Sequence, residues 1–231
     1  MFTNTSHIYD AIYSRLDYGA LAAVVTDSAL KHVPEAKSLL DVGCGTGLLL
    51  AELKEKFSVQ GVDLDSGMLD VARARLTGVP LHEGNMIDLD LGETFDVVVC
   101  LFSSIGYTAE LELMRQAVAR MAAHLSRPGV LMIDPWIMPE MWRDDHLHAD
   151  FVDEPTIKIA RFGNNRREGR KTMLEMHHLV STAEGVSYLV DNHTLFMFTD
   201  TEYRDAFARA GLEVEFLEGG LVGRGMYVGW R

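Results

Sequence analysis

Asp41-Val42-Gly43-Cys44-Gly45-Thr46-Gly47 follows the apolar run Ser38-Leu39-Leu40 and leads into Leu48 to Phe57, and Val62-Asp63-Leu64-Asp65 closes the next apolar run. An apolar strand, a turn of alternating glycines, a helix and an acid ending the following strand are what an α/β sheet offers a nucleoside-bearing cofactor. The glycines let the backbone approach the ligand, and the carboxylate can accept from both ribose hydroxyls.

The details of the turn separate the cofactors. A dinucleotide site spaces its third glycine three residues after the second and cradles a pyrophosphate at the helix N-terminus. Here the glycines alternate at 43, 45 and 47, with Asp41 in front. The position of Asp63, 20 residues beyond Gly43, suits a nicotinamide cofactor equally. An alternating turn preceded by an acid resembles the S-adenosyl-L-methionine (SAM) loop of Rossmann-like methyltransferases, whose ligand carries a sulfonium and an amino acid instead of a pyrophosphate. The resemblance implies SAM as cofactor and S-adenosylhomocysteine as product, against a dinucleotide site or an empty turn.

At 231 residues and 48% hydrophobic content the chain suits one domain with an elaboration and a sizeable core. A formal charge of −13 argues against nonspecific nucleic-acid binding, which needs clustered Lys and Arg. Cys44 and Cys100 have neither metal-ligand nor disulfide-framework spacing and read as small buried residues in a reducing compartment. Met1 to Asp10 lacks a signal-peptide pattern, and no run of about 18 apolar residues occurs, so a cytoplasmic protein without membrane contact is expected. His146, His148, His177 and His178 do not converge by spacing, and no metal is expected.

Apolar runs alternate with helical patterns through the first 135 residues, the signature of βαβ units and a mainly parallel sheet. Strands are expected at 38–43, 58–63, 79–82, 95–102 and 129–134. Helices are expected at 18–31, 47–57, 66–76 with Ser66 as N-cap, and 109–125, the last stopped by Arg127-Pro128-Gly129. From 149 to 198 β-branched or aromatic residues alternate with polar ones, and turns are signalled at Gly163-Asn164-Asn165 and Ala183-Glu184-Gly185. This reads as an antiparallel β insertion at 136–199 in a single 1–231 domain, placed where it would cover the crevice at the carboxyl ends of the parallel strands and recognise substrate. A helix over 201–210, capped by Gly211, and a hairpin of 212–218 with 225–230 finish the sheet.

Asn85 follows a short strand. Its carboxamide can pair with adenine beside the soft faces of Met86 and Met68, or it can simply shape the turn after Gly84. In Phe102-Ser103-Ser104-Ile105-Gly106-Tyr107 small residues would let an acceptor approach, and Tyr107 either orients that acceptor or packs as a buried aromatic. Trp136 is an apolar wall for a sugar ring or a core residue. Between Arg161 and Lys171 five basic residues face one acid, suiting an anionic substrate or a solvated hairpin tip. His193 would hydrogen-bond substrate or sit satisfied in the core. Tyr107 and His193 are the candidate catalytic residues, and Asp41, Gly43, Cys44, Gly45, Gly47, Asp63, Leu64, Met68, Asn85, Met86, Leu101 and Phe102 are the candidate cofactor contacts.

From about Tyr9 to Trp230 the chain resembles the SAM-dependent N,N-dimethyltransferases acting on TDP-linked 3-amino-3,6-dideoxyhexoses in macrolide-type antibiotic pathways. The specific blocks are Ser38 to Gly47, Met68-Leu69 with Ala72-Arg73, Phe102 to Tyr107, Pro135-Trp136, Arg167-Glu168-Gly169, and Gly219-Gly220 with Gly223-Arg224-Gly225. The resemblance implies a class I Rossmann-like SAM methyltransferase fold with an inserted antiparallel β lid. It implies that Tyr9 and Tyr18 reach the methionyl end of SAM, that Tyr107 sits beside the acceptor amine, and that Arg224 contacts a diphosphate. Trp136, Arg161 and Arg167 complete the expected substrate contacts, and a homodimer is compatible. Two departures concern the nucleotide end and the entrance. Gly163-Asn164-Asn165 stands where the family has Ser-His-Ser, and the amino-terminal extension of some members is missing or shortened. The competing functions are methylation of another small molecule, at oxygen or at an amino-acid nitrogen, and a catalytically idle SAM-binding protein.

Overall fold

The computed structural model describes residues 5–144 and 146–231. Residues 1–4, part of the stretch read above for a leader, and Asp145, inside the 136–199 insertion, lie outside the described residues. Seven strands form one sheet. They are β1 (Ser38–Val42), β2 (Ser58–Asp63), β3 (Leu81–Glu83), β4 (Phe95–Cys100), β5 (Leu125–Ile133), β10 (Glu213–Leu217) and β11 (Met226–Trp230), in the order β10-β11-β5-β4-β1-β2-β3. The inner strands are parallel, whereas β11 runs antiparallel to both β5 and β10.

This arrangement follows from strands buried on both faces, which read as nearly unbroken apolar runs. In β1, Leu39 joins one core layer and Leu40 the opposite one, and Val97 and Val98 of β4 divide in the same way. All four are fully buried, each contributing on the order of 2 kcal/mol of apolar burial. Helices α2 (Tyr18–His32) and α3 (Leu48–Leu53) cover one face, and α5 (Leu111–Ala123) and α6 (Asp200–Arg209) the other.

Several boundaries move for local chemical reasons. Helix α4 (Ser66–Arg75) is capped by Asp65, not by the expected Ser66, because the Asp65 carboxylate accepts from the Gly67 and Met68 amides at 3.0 and 3.3 Å. Helix α5 stops at His124, before the expected Arg127-Pro128-Gly129. The His124 ring lies 2.7 Å from the Arg120 carbonyl through Nδ1, and its Nε2 accepts the Leu91 amide at 3.0 Å. Strand β5 therefore starts at Leu125, earlier than the expected 129. Helix α6 begins with a full capping box between Thr199 and Glu202, and Gly211 follows its end with φ 75°.

Between β5 and α6 the chain builds a separate four-stranded antiparallel meander. Its strands are β6 (His148–Glu154), β7 (Ile157–Glu168), β8 (Lys171–Thr182) and β9 (Gly185–Phe196). The inner face of this second sheet carries Ile159 and Val180, which pack on Ile8 and Ile12 of the short helix α1 (Ser6–Ile12). Sequence periodicity missed α1, whose apolar stripe is only these two isoleucines one turn apart.

Candidate active site

The glycine turn is fixed from below. The Gly43 and Cys44 amides both donate to the Val62 carbonyl, at 2.7 and 3.0 Å, so the turn leans over the end of β2. Gly43 has φ 86°, and a Cβ there would lie 2.7 Å from the Ser104 hydroxyl. Only glycine fits. At Gly45 a Cβ would meet no atom within 4 Å, because that side of the turn opens into a cavity of about 700 Å³.

Two carboxylates line the floor of that cavity. Asp41 is 4% exposed, and burial, followed by repulsion from Asp63, raises its carboxyl to about 7. Asp63 is also raised by burial, although its oxygens accept from the Gly45 amide at 2.7 Å and the Asp65 amide at 2.8 Å. Among the described residues no Lys, Arg or His forms an ion pair with either acid. Such a pair favours a ligand that brings positive charge and hydroxyl donors. Apolar surface for a flat base stands beside them. Met68 is buried at the wall, Met86 lines it, and Leu64 is half exposed toward the opening.

The expected cofactor set converges here. Tyr9, Tyr18, Asp41, Gly43, Cys44, Gly45, Asp63, Leu64, Met68, Asn85, Met86, Leu101 and Phe102 all line the cavity. Gly47 does not. Its φ of 74° and the Leu76 methyl 2.6 Å from a would-be Cβ give it a packing role at the start of α3. Asn85 already spends its Oδ1 on the Ile87 amide at 3.2 Å, which leaves the rest of the carboxamide for a ligand. Burial raises Tyr9 well above the usual phenol range and Tyr18 to about 12, so both are neutral hydroxyls.

The roof comes from α1, the second sheet and the β10–β11 connection. Asp10 accepts from the Thr46 hydroxyl at 2.6 Å and pairs with Arg75, tying α1 to the glycine turn. Tyr13, Arg15 and Leu16 from this segment, and Leu174, Met176 and Leu195 from the second sheet, also line the cavity. None of these was anticipated. Tyr9 and Tyr13 lie four residues apart, and this spacing is the one signal that could have placed Tyr13 on the same helical face.

Beyond the end of β4 the backbone bends through left-handed conformations at Phe102 and Ser103 (φ 51° and 67°) and brings Tyr107 to the cavity. Its hydroxyl lies 2.8 Å from His193 Nδ1, and His193 stands behind it, buried and outside the lining. Trp136 also lines the cavity, its Cβ 3.1 Å from where a side chain on Gly106 would begin and its indole N–H donating to the Thr172 hydroxyl at 3.0 Å. The Arg224 guanidinium lies 5.7 Å over the Trp136 ring, donates to the Ser103 hydroxyl at 2.9 Å, and comes within 3.7 Å of the fully buried Asp134.

The other two expected arginines are elsewhere. Arg161 is 5% exposed, paired with Asp150 and donating to the Tyr13 hydroxyl at 3.2 Å; Arg167 donates to the Gly169 carbonyl at 2.8 Å at the β7–β8 turn. Neither lines the cavity. Arg170 is spent on Glu202. The local basic excess is thus spent on Asp150, on the β7–β8 turn and on a helix cap, and the cationic groups in the cavity lining are Arg224 and Arg15, the latter paired with Asp150. His177 and His178 point to opposite faces, the former beside Glu175 and the latter beside Asp191. Among the described residues no group of three or more His, Cys, Asp or Glu is placed to hold a metal.

The family described as "Methyltransferase domain" matches residues 39–129, the span from β1 into β5. Beyond it the likeness continues. The chain is 42% identical over 226 residues to the dTDP-3-amino-3,4,6-trideoxy-alpha-D-glucopyranose N,N-dimethyltransferase of Streptomyces venezuelae, covering 96% of this chain and 95% of the relative. The chain belongs to the SAM-dependent sugar N,N-dimethyltransferases. A second member, the dTDP-3-amino-3,6-dideoxy-alpha-D-glucopyranose N,N-dimethyltransferase of Streptomyces fradiae, is 38% identical over 97% of this chain and 89% of its own. Among solved structures, SAM-bound CalS10, an amino pentose methyltransferase from Micromonospora echinaspora, superposes with a TM-score of 0.89 at 42% identity, over 97% of this chain and 96% of that one. DesVI of Streptomyces venezuelae gives 0.93 at 42%, over 96% of each chain. The sugar dimethyltransferase is thus a class I SAM-dependent enzyme, and the cavity between Asp41, Asp63, Met68 and Met86 fits that cofactor by charge and by shape.

Proposed function

We propose that this enzyme methylates, twice in succession, the amine of a dTDP-linked amino deoxysugar, and that the second sheet over residues 136–199 is the lid that recognises it. The observation supporting this reading is the division of charge in one cavity. The acids Asp41 and Asp63 line it together with Arg224, which stands over the Trp136 ring, and with Tyr107. The acids suit a cationic methyl donor bearing a ribose, and the arginine suits an anionic diphosphate beside a sugar ring.

Bound SAM supplies an electrophilic methyl carbon on a sulfonium. A neutral amine attacks that carbon directly, so the protein's task is alignment and exclusion of water. Asp63 holds the ribose hydroxyls, Tyr9 and Tyr18 flank the methionyl end, and Tyr107 fixes the acceptor nitrogen. The burial that raises Tyr107 keeps it a neutral phenol. Each transfer leaves an ammonium, whose proton passes to water.

The fold also suits a homodimer in the cytoplasm. No helix among the described residues is long and apolar enough to cross a membrane. The outer face of the second sheet exposes Phe151, Phe162, Leu179 and Tyr188, 49% to 69% accessible, with Phe151 and Phe162 packed edge to face at 5.9 Å. The Asp153–Lys158 pair on the same face brings charges of both signs, which suits a self-complementary contact with a second copy. The direct test of the function is incubation with SAM and dTDP-3-amino-3,6-dideoxyglucose, followed by mass spectrometry. Successive monomethyl and dimethyl products with S-adenosylhomocysteine are expected, and an unaltered sugar would refute the assignment.

A further inference from the structure

Tyr107 lines the cavity and its hydroxyl lies 2.8 Å from His193 Nδ1, the two rings meeting edge-on at 67°. His193 is 2% exposed on the inner face of β9, and burial lowers its imidazole to about 4. At neutral pH the ring is uncharged and has one nitrogen able to accept.

We propose that His193 Nδ1 accepts the Tyr107 O–H, so that Tyr107 presents only lone pairs to the cavity and thereby limits the acceptor nitrogen to two methyl groups. The inference rests on the amino-sugar reading and deepens it. A phenol has a single proton. Once that proton points to His193, the oxygen can only accept, and the acceptor amine must donate an N–H to it. With one N–H held in this way, the nitrogen lone pair projects along a different tetrahedral direction, toward the methyl carbon. The reverse polarity, with Tyr107 donating to the amine, would tie up the lone pair that has to attack.

The count follows from valence. In its neutral form a primary amine has two N–H groups, its monomethyl derivative has one, and the dimethyl product, once its proton has passed to water, has none. The anchor therefore persists through both transfers and vanishes with the second product, whose lone pair and methyl groups would face an oxygen that cannot donate. In each transfer the sulfur–carbon bond breaks with its electron pair staying on sulfur, the nitrogen–carbon bond forms, and the ammonium proton goes to water. Tyr107 and His193 finish each cycle unchanged.

The test uses the full-length enzyme, dTDP-3-amino-3,6-dideoxyglucose and its N-methyl and N,N-dimethyl derivatives. Affinities are read by calorimetry with S-adenosylhomocysteine present, at a pH where the free amines are neutral, and kcat/KM for each transfer by mass spectrometry. The wild type should bind both substrates about tenfold more tightly than the dimethyl product, the worth of one buried hydrogen bond to an amine. Tyr107→Phe should bring the three affinities within about twofold of one another and slow both transfers by a similar factor of about tenfold. His193→Gln, whose carboxamide oxygen can accept the same O–H, should keep the wild-type ordering. A Tyr107→Phe enzyme that still discriminates against the dimethyl product as the wild type does would overturn the inference while leaving dimethylation intact. If Tyr107→Phe stops turnover, the binding titration decides alone. A wild type that methylates neither amine would refute the amino-sugar reading together with this one.

Discussion

Asp41 carries the sharpest consequence of the site at the scale of single residues. Its carboxyl, raised to about 7 in the ligand-free protein, must ionise to meet a positively charged donor. SAM affinity should therefore fall as pH drops below 7, by at most about tenfold per pH unit for one coupled proton. Asp41→Asn should bind more weakly at pH 8 and lose this slope, and titration calorimetry from pH 5.5 to 8.5 checks both. The stability linkage has the opposite sense. Because the folded-state value lies above the unfolded one, the contribution is whole below about 4 and is lost as pH rises to about 7, so the ligand-free melting temperature should decline across that window. In Asp41→Asn this decline should be shallower.

The residues around Asp41 were legible because they belong to one contiguous turn and the strand paired with it. Arg161 was not. Its charge reads the same from the sequence whether it faces substrate or Asp150, and only the β6–β7 register, pairing Asp150 with Arg161, decides the matter. Arg224 had no signal from spacing and was found through resemblance alone, since its place over Trp136 depends on the β10–β11 connection folding back across the sheet.

Among the elements, α1 is the one that joins the glycine turn to the second sheet. Its hold on the turn is the Asp10 contact with Thr46 and Arg75, a part-exposed cluster worth about 1 kcal/mol. Asp10→Ala should weaken SAM binding about fivefold while leaving kcat at saturating SAM nearly unchanged, because no group on the acceptor side is altered. An equal loss in kcat would place α1 in the chemistry itself. Helix α6 gives a control, because none of its residues lines the cavity. Thr199→Ala removes one arm of its capping box and should cost about 1 kcal/mol of stability by chemical denaturation without changing SAM affinity. The parallel core strands and long helices were readable in advance because doubly buried strands and amphipathic helices carry strong periodic signals. The ends of α5 and β5 were not, because the histidine that closes that helix is a weaker stop signal than the Pro128-Gly129 pair a few residues on.

Over the whole molecule, the acidic chain of net charge −13 keeps its cationic Arg224 inside a cavity and an apolar patch on the outer face of its second sheet. Replacing Phe151 and Leu179 together by Glu should convert a dimer to a monomer in light scattering while SAM binding persists; an unchanged mass would show that this face is not the subunit contact. The alternating pattern of 149–198 foretold an antiparallel sheet, but not which of its faces would meet α1 and which would stay open, since both carry β-branched and aromatic residues.

On the proposed function, one cavity aligns a cationic methyl donor with the amine of a nucleotide-linked sugar. Single-turnover mass spectrometry with isotopically labelled SAM and dTDP-3-amino-3,6-dideoxyglucose tests it most directly. The predicted result is label on the sugar nitrogen, first once and then twice, with stoichiometric S-adenosylhomocysteine. Consumption of SAM with no label on the sugar, or a wholly unlabelled sugar beside enzyme saturated with SAM, would contradict it.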